Sequence, residues 1–371
     1  MNKPNQFKYK TISLFTGIGG LDAGFGGKVV VHQKSISPEL KDIILKKYHI
    51  SGFVQLKPTN FEVIFQNDIL KGAQEVYSYN QETEHYSTES IFNLLKNKTP
   101  FPEADLILGG VPCNDWSHAG KRKGFQSKKT HNLKDTFDPK IENSRGMLYK
   151  SFVSVVSQVK PKMFVFENVY GLFTMKDKPM DQIIQDFENV GYEIEYQVMK
   201  SEEYGIPQTR KRVILLGIRK EGLQKKLYPN WSQMNYNKIQ CPVGPYFEHL
   251  QEPEMSPDLA QQQYSKAKRR DKGQGQVELD LNSFSPTIRA EHHGNIEFRR
   301  HQNSPKNPGE RHLQERRLSL REAGLIQTFP PDFIFGIKKT IRSYKYIGNA
   351  VPPLLSYIIG LKIDASLKTF F

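Results

Sequence analysis

Only two cysteines occur in the 371 residues, and one of them has neighbours suited to chemistry. Cys113 follows the apolar run LILGG inside GGVPCNDWSHAGKRKGF (109–125), where small residues give way to polar and basic ones. Such a stretch makes a poor core segment and a good active-site loop. The nearby lysines and arginine favour the thiolate, the form of the side chain that attacks as a nucleophile. Cys241, in QCPVGP, has no such setting and reads as a small buried hydrophobe. Glu167 ends the apolar run KMFVF, where an acid either caps the next turn or faces a site. Arg210 and Arg212 alternate within YGIPQTRKR and so share one face of an extended segment, as a solvated charge run or as cations turned toward a site.

A second group of residues suits the binding of a cofactor. Phe15-Thr16-Gly17-Ile18-Gly19-Gly20 comes directly after the first apolar run. Glycines at such a turn let the backbone approach a ligand closely, or simply make a tight turn. Asp68 stands just past the second run, where α/β cofactor sites place a carboxylate on ribose hydroxyls. These two features do not separate a dinucleotide from S-adenosylmethionine. Gly348-Asn349-Ala350-Val351-Pro352-Pro353 is a turn that leads into a helix.

The elements that must position these residues alternate in type. TISLF (11–15), FEVIF (61–65), ADLILGG (104–110), KMFVFEN (162–168) and RVILLGI (212–218) read as strands. MLYKSFVSVVSQVK (147–160), MDQIIQDFENVG (180–191), LSLREAGLIQTF (318–329) and PPLLSYIIGLKI (352–363) have helical spacing. Strands alternating with helices predict a doubly wound, mostly parallel α/β sheet. Residues 26–52 and 126–142 read as insertions within that pattern, and 223–315 is polar, aromatic-spotted and irregular. The expected division is 1–222, a smaller irregular domain over 223–335, and 336–371 returning to the first domain. Two cysteines exclude a disulfide scaffold and fit a reducing, cytoplasmic setting. No run approaches the roughly 20 apolar residues of a spanning helix, and the start MNKPNQFKYK has no apolar stretch of a secretory signal. A formal charge of +14 suits a polyanionic partner, of which nucleic acid is the commonest.

Taken in order, eight segments resemble the cytosine-5 DNA methyltransferase family, in its bacterial restriction–modification form. They are SLFTGIGGLDAGF (13–25), FEVIFQNDILKGAQEVY (61–77), GGVPCNDWSHAGKRKGF (109–125), NSRGMLY (143–149), FVFENVYGLF (164–173), YGIPQTRKRVILLGIR (204–219), RRLSLREAGLIQTFPPDF (316–333) and YKYIGNAVPP (344–353). The resemblance implies an S-adenosylmethionine-dependent methyltransferase (Rossmann-like) domain with a second, irregular target-recognition domain. It implies that Cys113 adds to carbon 6 of a flipped cytosine and that Glu167 and Arg212 neutralise charge on the ring. Arg210 supports the site or contacts phosphate. The cofactor would lie against Phe15, Gly17, Ile18, Gly19 and Gly20, with Asp68 on its ribose and Pro112, Leu148, Asn349 and Val351 completing the pocket.

Ser117, Lys121, Arg122, Lys123, Arg269, Arg270, Arg289, Arg299 and Arg300 are the expected contacts to double-stranded DNA. No metal is called for, although His292-His293 invites the thought. The chain departs from the family in Asp68, which replaces the usual glutamate. It departs again at Glu89-Ser90-Ile91, which stands where the family has an aspartate for the adenine amino group. The partners expected are DNA and a separately acting cognate restriction endonuclease, with a monomeric enzyme and no membrane. A tRNA cytosine-5 methyltransferase is disfavoured, because Pro242-Val243 follows Cys241 where such relatives carry phenylalanine-threonine. An inert DNA-binding regulator is disfavoured because Cys113 and Glu167 are both present.

Overall fold

The computed structural model describes residues 8–112, 148–175, 178–221, 239–266, 277–290, 297–301, 306–336 and 340–368. Cys113, Ser117, Lys121, Arg122, Lys123, Arg269, Arg270 and His292-His293 lie outside the described residues.

Seven strands make the central sheet: β1 (Tyr9–Leu14), β2 (Phe61–Asn67), β3 (Tyr86–Ser87), β4 (Leu106–Gly110), β5 (Met163–Val169), β6 (Tyr192–Lys200) and β7 (Lys211–Arg219). Their spatial order is β3-β2-β1-β4-β5-β7-β6. The first five pair in parallel, while β7 runs antiparallel to both of its neighbours. The reversal is local in origin. Only residues 201–210 separate β6 from β7, a hairpin-length link with Gly205 at φ 76°, so the two strands must run antiparallel. β4, β5 and β7 are near-continuous apolar runs because helices cover both faces of the sheet. The five strands expected from sequence are all here. The short edge strand β3 was not among them, because two residues are too few for a periodic signal.

The helix α1 (Lys71–Ser78) follows β2, and one face of the sheet carries α2 (Leu148–Val159) and α3 (Pro179–Asn189), which bury Phe152, Val156, Ile183 and Phe187 against Ile107, Phe164 and Phe166. The other face carries α6 (Pro353–Leu367), whose Leu354, Leu355, Ile358 and Ile359 pack on Leu106, Leu108, Val165 and Ile214. Ile341–Leu367 is long and apolar enough to cross a membrane by length and composition. It is nevertheless two helices, α5 (Thr340–Asn349) and α6, broken at 350–352, and 78% of its most apolar window is buried inside the protein. The apolar character is that of a core helix.

Residues 26–52, read as an insertion, belong to a three-stranded antiparallel sheet of Val30–His32, Phe53–Leu56 and Ile44–Lys47, with Phe53–Leu56 in the middle. Its side chains alternate between two cores. Val29, Val31, Val54 and Leu56 face the core under α6, while Val30 and Phe53 face a third cluster with Tyr246, Leu318 and Phe329. That third cluster gathers the irregular region, α4 (Leu320–Ile326) and α5, together with Ile18, Ala73 and Val76 from the sheet domain.

Candidate active site

The strand order turns back between β1 and β4, since the chain winds outward through β2 and β3 before returning to the opposite side of β1. In open α/β sheets the ligand crevice forms beyond the carboxyl ends of strands at such a point. A cavity of about 240 Å³ lies there. Phe15, Gly17, Ile18, Gly20, Asp68, Pro112, Asn349 and Val351 line it, as the sequence led us to expect, and so do Glu167 and Arg212. Ile69, Leu70, Ile91 and Tyr346 also line it and were not singled out from sequence.

Two of the expected cofactor residues are placed elsewhere. Leu148 is fully buried in the core between α2 and the sheet, and Gly19 turns its back on the cavity, packed against the Tyr77 ring. Glu89 and Ser90 do not line the cavity either; the Glu89 carbonyl accepts a hydrogen bond from Asn67 Nδ2 at 2.8 Å, and Ser90 is buried.

The glycine turn is held from several sides. Asp68 accepts hydrogen bonds from the Gly17 amide at 2.9 Å and the Leu70 amide at 2.8 Å, one on each oxygen. Each oxygen keeps a lone pair for a further donor. Burial raises the Asp68 carboxyl above its ordinary range, against the pull of those two amides. Tyr86 donates to the Gly17 carbonyl at 3.0 Å, so both peptide groups of Gly17 are fixed. Gly17 has φ +58° and nothing within 4 Å of where a Cβ would sit, which leaves open space for a ligand against bare backbone. A Cβ on Gly20 would stand 2.4 Å from the Val351 carbonyl, so a glycine there lets the two walls of the cavity close together. Phe15 is left-handed at φ 56°, a conformation that costs a non-glycine residue roughly 1–3 kcal/mol and persists where the surroundings impose it.

Behind the turn lies a buried carboxyl that sequence reading missed. Asp22 has no exposed surface and accepts from Ser13 Oγ at 2.6 Å and Tyr77 OH at 3.1 Å. Burial lifts its pKa to about 6 from 3.8, with the two hydroxyls pulling it back only in part. The folded protein therefore holds this proton more tightly than the unfolded chain. The stability Asp22 contributes is present below about pH 4 and drains away as pH rises through about 6. Relative to Asp22→Asn, the wild-type protein should lose about 1 kcal/mol between roughly pH 5 and 7, read from urea unfolding at each pH. A difference that does not change with pH would remove Asp22 from this role.

At the other side of the cavity the register of β4 and β5 sets Gly110 opposite Glu167. Arg212 Nε lies 2.8 Å from Glu167 Oε1, with both side chains nearly buried. Desolvation raises the Glu167 carboxyl above its ordinary value, and the Arg212 and Arg210 guanidiniums oppose that without cancelling it. Asn168 donates to the Val111 carbonyl at 3.3 Å, which ties the end of β5 to the segment leading into Pro112. Arg210 does not reach the cavity. It is wholly buried and donates to the carbonyls of Ile288, Gly348 and Ala350, each at 3.0 Å, so of its two expected roles the structure favours support.

The profile of the C-5 cytosine-specific DNA methylases matches residues 9–365. The chain belongs to that family. Among its relatives are the type II methyltransferase M.NgoFVII of Neisseria gonorrhoeae, 31% identical over 95% of this chain and 84% of that protein, and M.BsuRI of Bacillus subtilis, 27% identical over 96% and 79%. The fold is similar to that of the Dnmt2 methyltransferase of S. pombe, with a TM-score of 0.61 at 17% identity over 96% of this chain and 99% of that one.

In this DNA methylase the arginines offered as DNA contacts divide by environment. Arg289 is partly exposed and lies 3.2 Å from Glu297. Arg299 and Arg300 turn inward, about 5–6% exposed, and are locked in two-pronged pairs with Glu310 and Glu252. A buried guanidinium committed to a half-buried carboxylate is not free for phosphate, and both are withdrawn as DNA contacts. Their acids lie 11 and 48 residues away in sequence, so neither pairing shows as a local charge pattern.

Proposed function

We propose that the enzyme methylates carbon 5 of a flipped cytosine within one short sequence of double-stranded DNA, with Cys113 as covalent nucleophile and S-adenosylmethionine as methyl donor. The observation that carries this reading is the convergence of the glycine turn, Asp68, Pro112 and the Glu167–Arg212 pair on one cavity. The cavity fits the donor: Gly17 leaves room where a side chain would intrude, and Asp68 keeps acceptor capacity for ribose hydroxyls. When bound, the donor supplies an electrophilic methyl on a positively charged sulfur.

The chain's own residues would do the rest. The Cys113 thiolate forms a bond to carbon 6, which pushes electron density through the ring toward carbon 5 and nitrogen 3. Glu167 gives its proton to nitrogen 3, and Arg212 holds Glu167 and faces the ring oxygen. After transfer, water takes the carbon-5 proton, the electrons of that bond re-form the carbon 5–carbon 6 double bond and expel the Cys113 thiolate, and nitrogen 3 returns its proton to Glu167. A stacked base cannot reach such a pocket, hence the flipping. We further assign 223–335 to target recognition and the remainder to catalysis. The enzyme acts as a cytoplasmic monomer, protecting DNA from a cognate endonuclease.

Bisulfite sequencing of DNA from cells expressing the protein tests this reading. Protected cytosines confined to one short motif are expected, and their complete loss with Cys113→Ser. No protection from a folded protein that binds S-adenosylmethionine would turn the reading toward RNA or toward DNA binding without methylation.

A further inference from the structure

The cavity's wall at 348–351 is tied to the rest of the protein by a relay of buried amides. Gln208 and Gln327 have no exposed surface. Gln208 accepts from the Ile288 amide at 2.9 Å and donates to Gln327 Oε1 at 2.8 Å and to the Ile326 carbonyl at 3.4 Å. Gln327 passes the relay on, donating to the carbonyls of Ile347 at 2.7 Å and Ala350 at 3.3 Å. Arg210 braces the same loop through Gly348 and Ala350. These acceptors lie at and just past the C-terminal end of α5, where a helix runs out of internal partners, although the Ile347 carbonyl also takes the Ala350 amide at 3.2 Å. With the carbonyls turned inward, the exposed Asn349 is left to line the cavity.

We propose that Gln327 is a positioning residue for the cofactor: it fixes the 348–351 wall and links it through Gln208 to the 285–290 segment of the recognition region. This rests on the reading of the cavity as the S-adenosylmethionine site. Among the described residues, no other side chain both takes the Gln208 amide and donates to the wall. An apolar side chain of similar length keeps the packing and removes the linkage. The wall then loses two hydrogen bonds from Gln327 while Arg210 still holds it, so the expected consequence is a looser cofactor site in a folded protein.

Titration calorimetry of S-adenosylmethionine into wild type and Gln327→Met, each without DNA, tests it, alongside steady-state methylation. The expected result is about a tenfold weaker cofactor Kd for the variant, with KM for the cofactor rising in parallel and kcat at saturation within about threefold. Gln208→Met should reproduce that pattern, and the double variant should be little worse than either single, as for residues acting in one relay. Unchanged Kd and KM with a lowered kcat, or a fall in active fraction alone, would mean that Gln327 only stabilises the fold, and would overturn the proposal. If the wild-type protein itself takes up no S-adenosylmethionine, the underlying site assignment fails, not merely the role of Gln327.

Discussion

Glu167→Gln should lower kcat for DNA methylation by about 10²–10⁴, the range for loss of a positioned proton donor, with cofactor affinity little changed. Glutamine has nearly the same shape and can still accept from Arg212 Nε, which lies 2.8 Å from Glu167 in the native protein. What it cannot do is hand a proton to the ring nitrogen as negative charge gathers there. Burial raises the Glu167 carboxyl above its ordinary range, so it keeps its proton to a higher pH than an exposed glutamate. The protonated form is the useful one. Its contribution is therefore present at low pH and lost as pH rises through the raised value, while the Cys113 thiolate gains in the opposite direction. The two trends give kcat/KM a bell shape, and the variant should lack the basic limb that Glu167 imposes. Single-turnover methylation across pH, with a trapped adduct on 5-fluorocytosine DNA as a second readout, checks both points. A variant within about threefold of wild type, with its basic limb intact, would assign proton donation elsewhere.

What sequence made legible follows a physical division. The central strands could be read because helices cover both faces and force continuous apolar runs. Cavity-lining residues at strand ends could be picked out because they sit in glycine-rich or polar turns, as in Phe15 to Gly20. The supports behind them could not. Tyr77 and Tyr86 sit in the helix and edge strand after β2, with nothing local to mark them, yet one holds Asp22 and the other Gly17. Gln327 and Gln208 meet across 119 residues. Arg299 and Arg300 look like a basic surface because a one-dimensional charge pattern cannot reveal Glu252 or Glu310 folding onto them. Contacts made by tertiary folding, rather than by spacing, separate the two outcomes.

A buried acid beside these arginines carries the second large effect, in stability. Glu322 sits in a capping box at the start of α4, where its carboxylate accepts from the Ser319 amide and Ser319 Oγ accepts from the Glu322 amide. It also takes a two-pronged bond from Arg316, both arms at 2.8 Å, and lies 3.4 Å from Arg299 Nε. Desolvation opposes ionisation, but the arginines win and hold its pKa down at about 2, against 4.5 ordinarily. Glu322→Gln keeps the cap's acceptor and removes the charge, leaving two buried guanidiniums short of a partner. The expected loss is about 3 kcal/mol at neutral pH, by the cost of breaking a buried pair and by the pKa difference alike. Because the folded pKa is depressed, the stabilisation is in place above about pH 4.5 and disappears as pH falls toward 2, so the gap between wild type and variant should narrow in acid. Urea unfolding of the two proteins at neutral and acid pH measures it. The helix so anchored ends at Ile326, one residue before Gln327, so slackness there reaches the 348–351 wall of the cavity directly. A variant that unfolds within about 1 kcal/mol of wild type at neutral pH would show instead that the arginine pair finds compensation from Glu252 and Glu310, and that the brace on α4 lies in apolar packing alone.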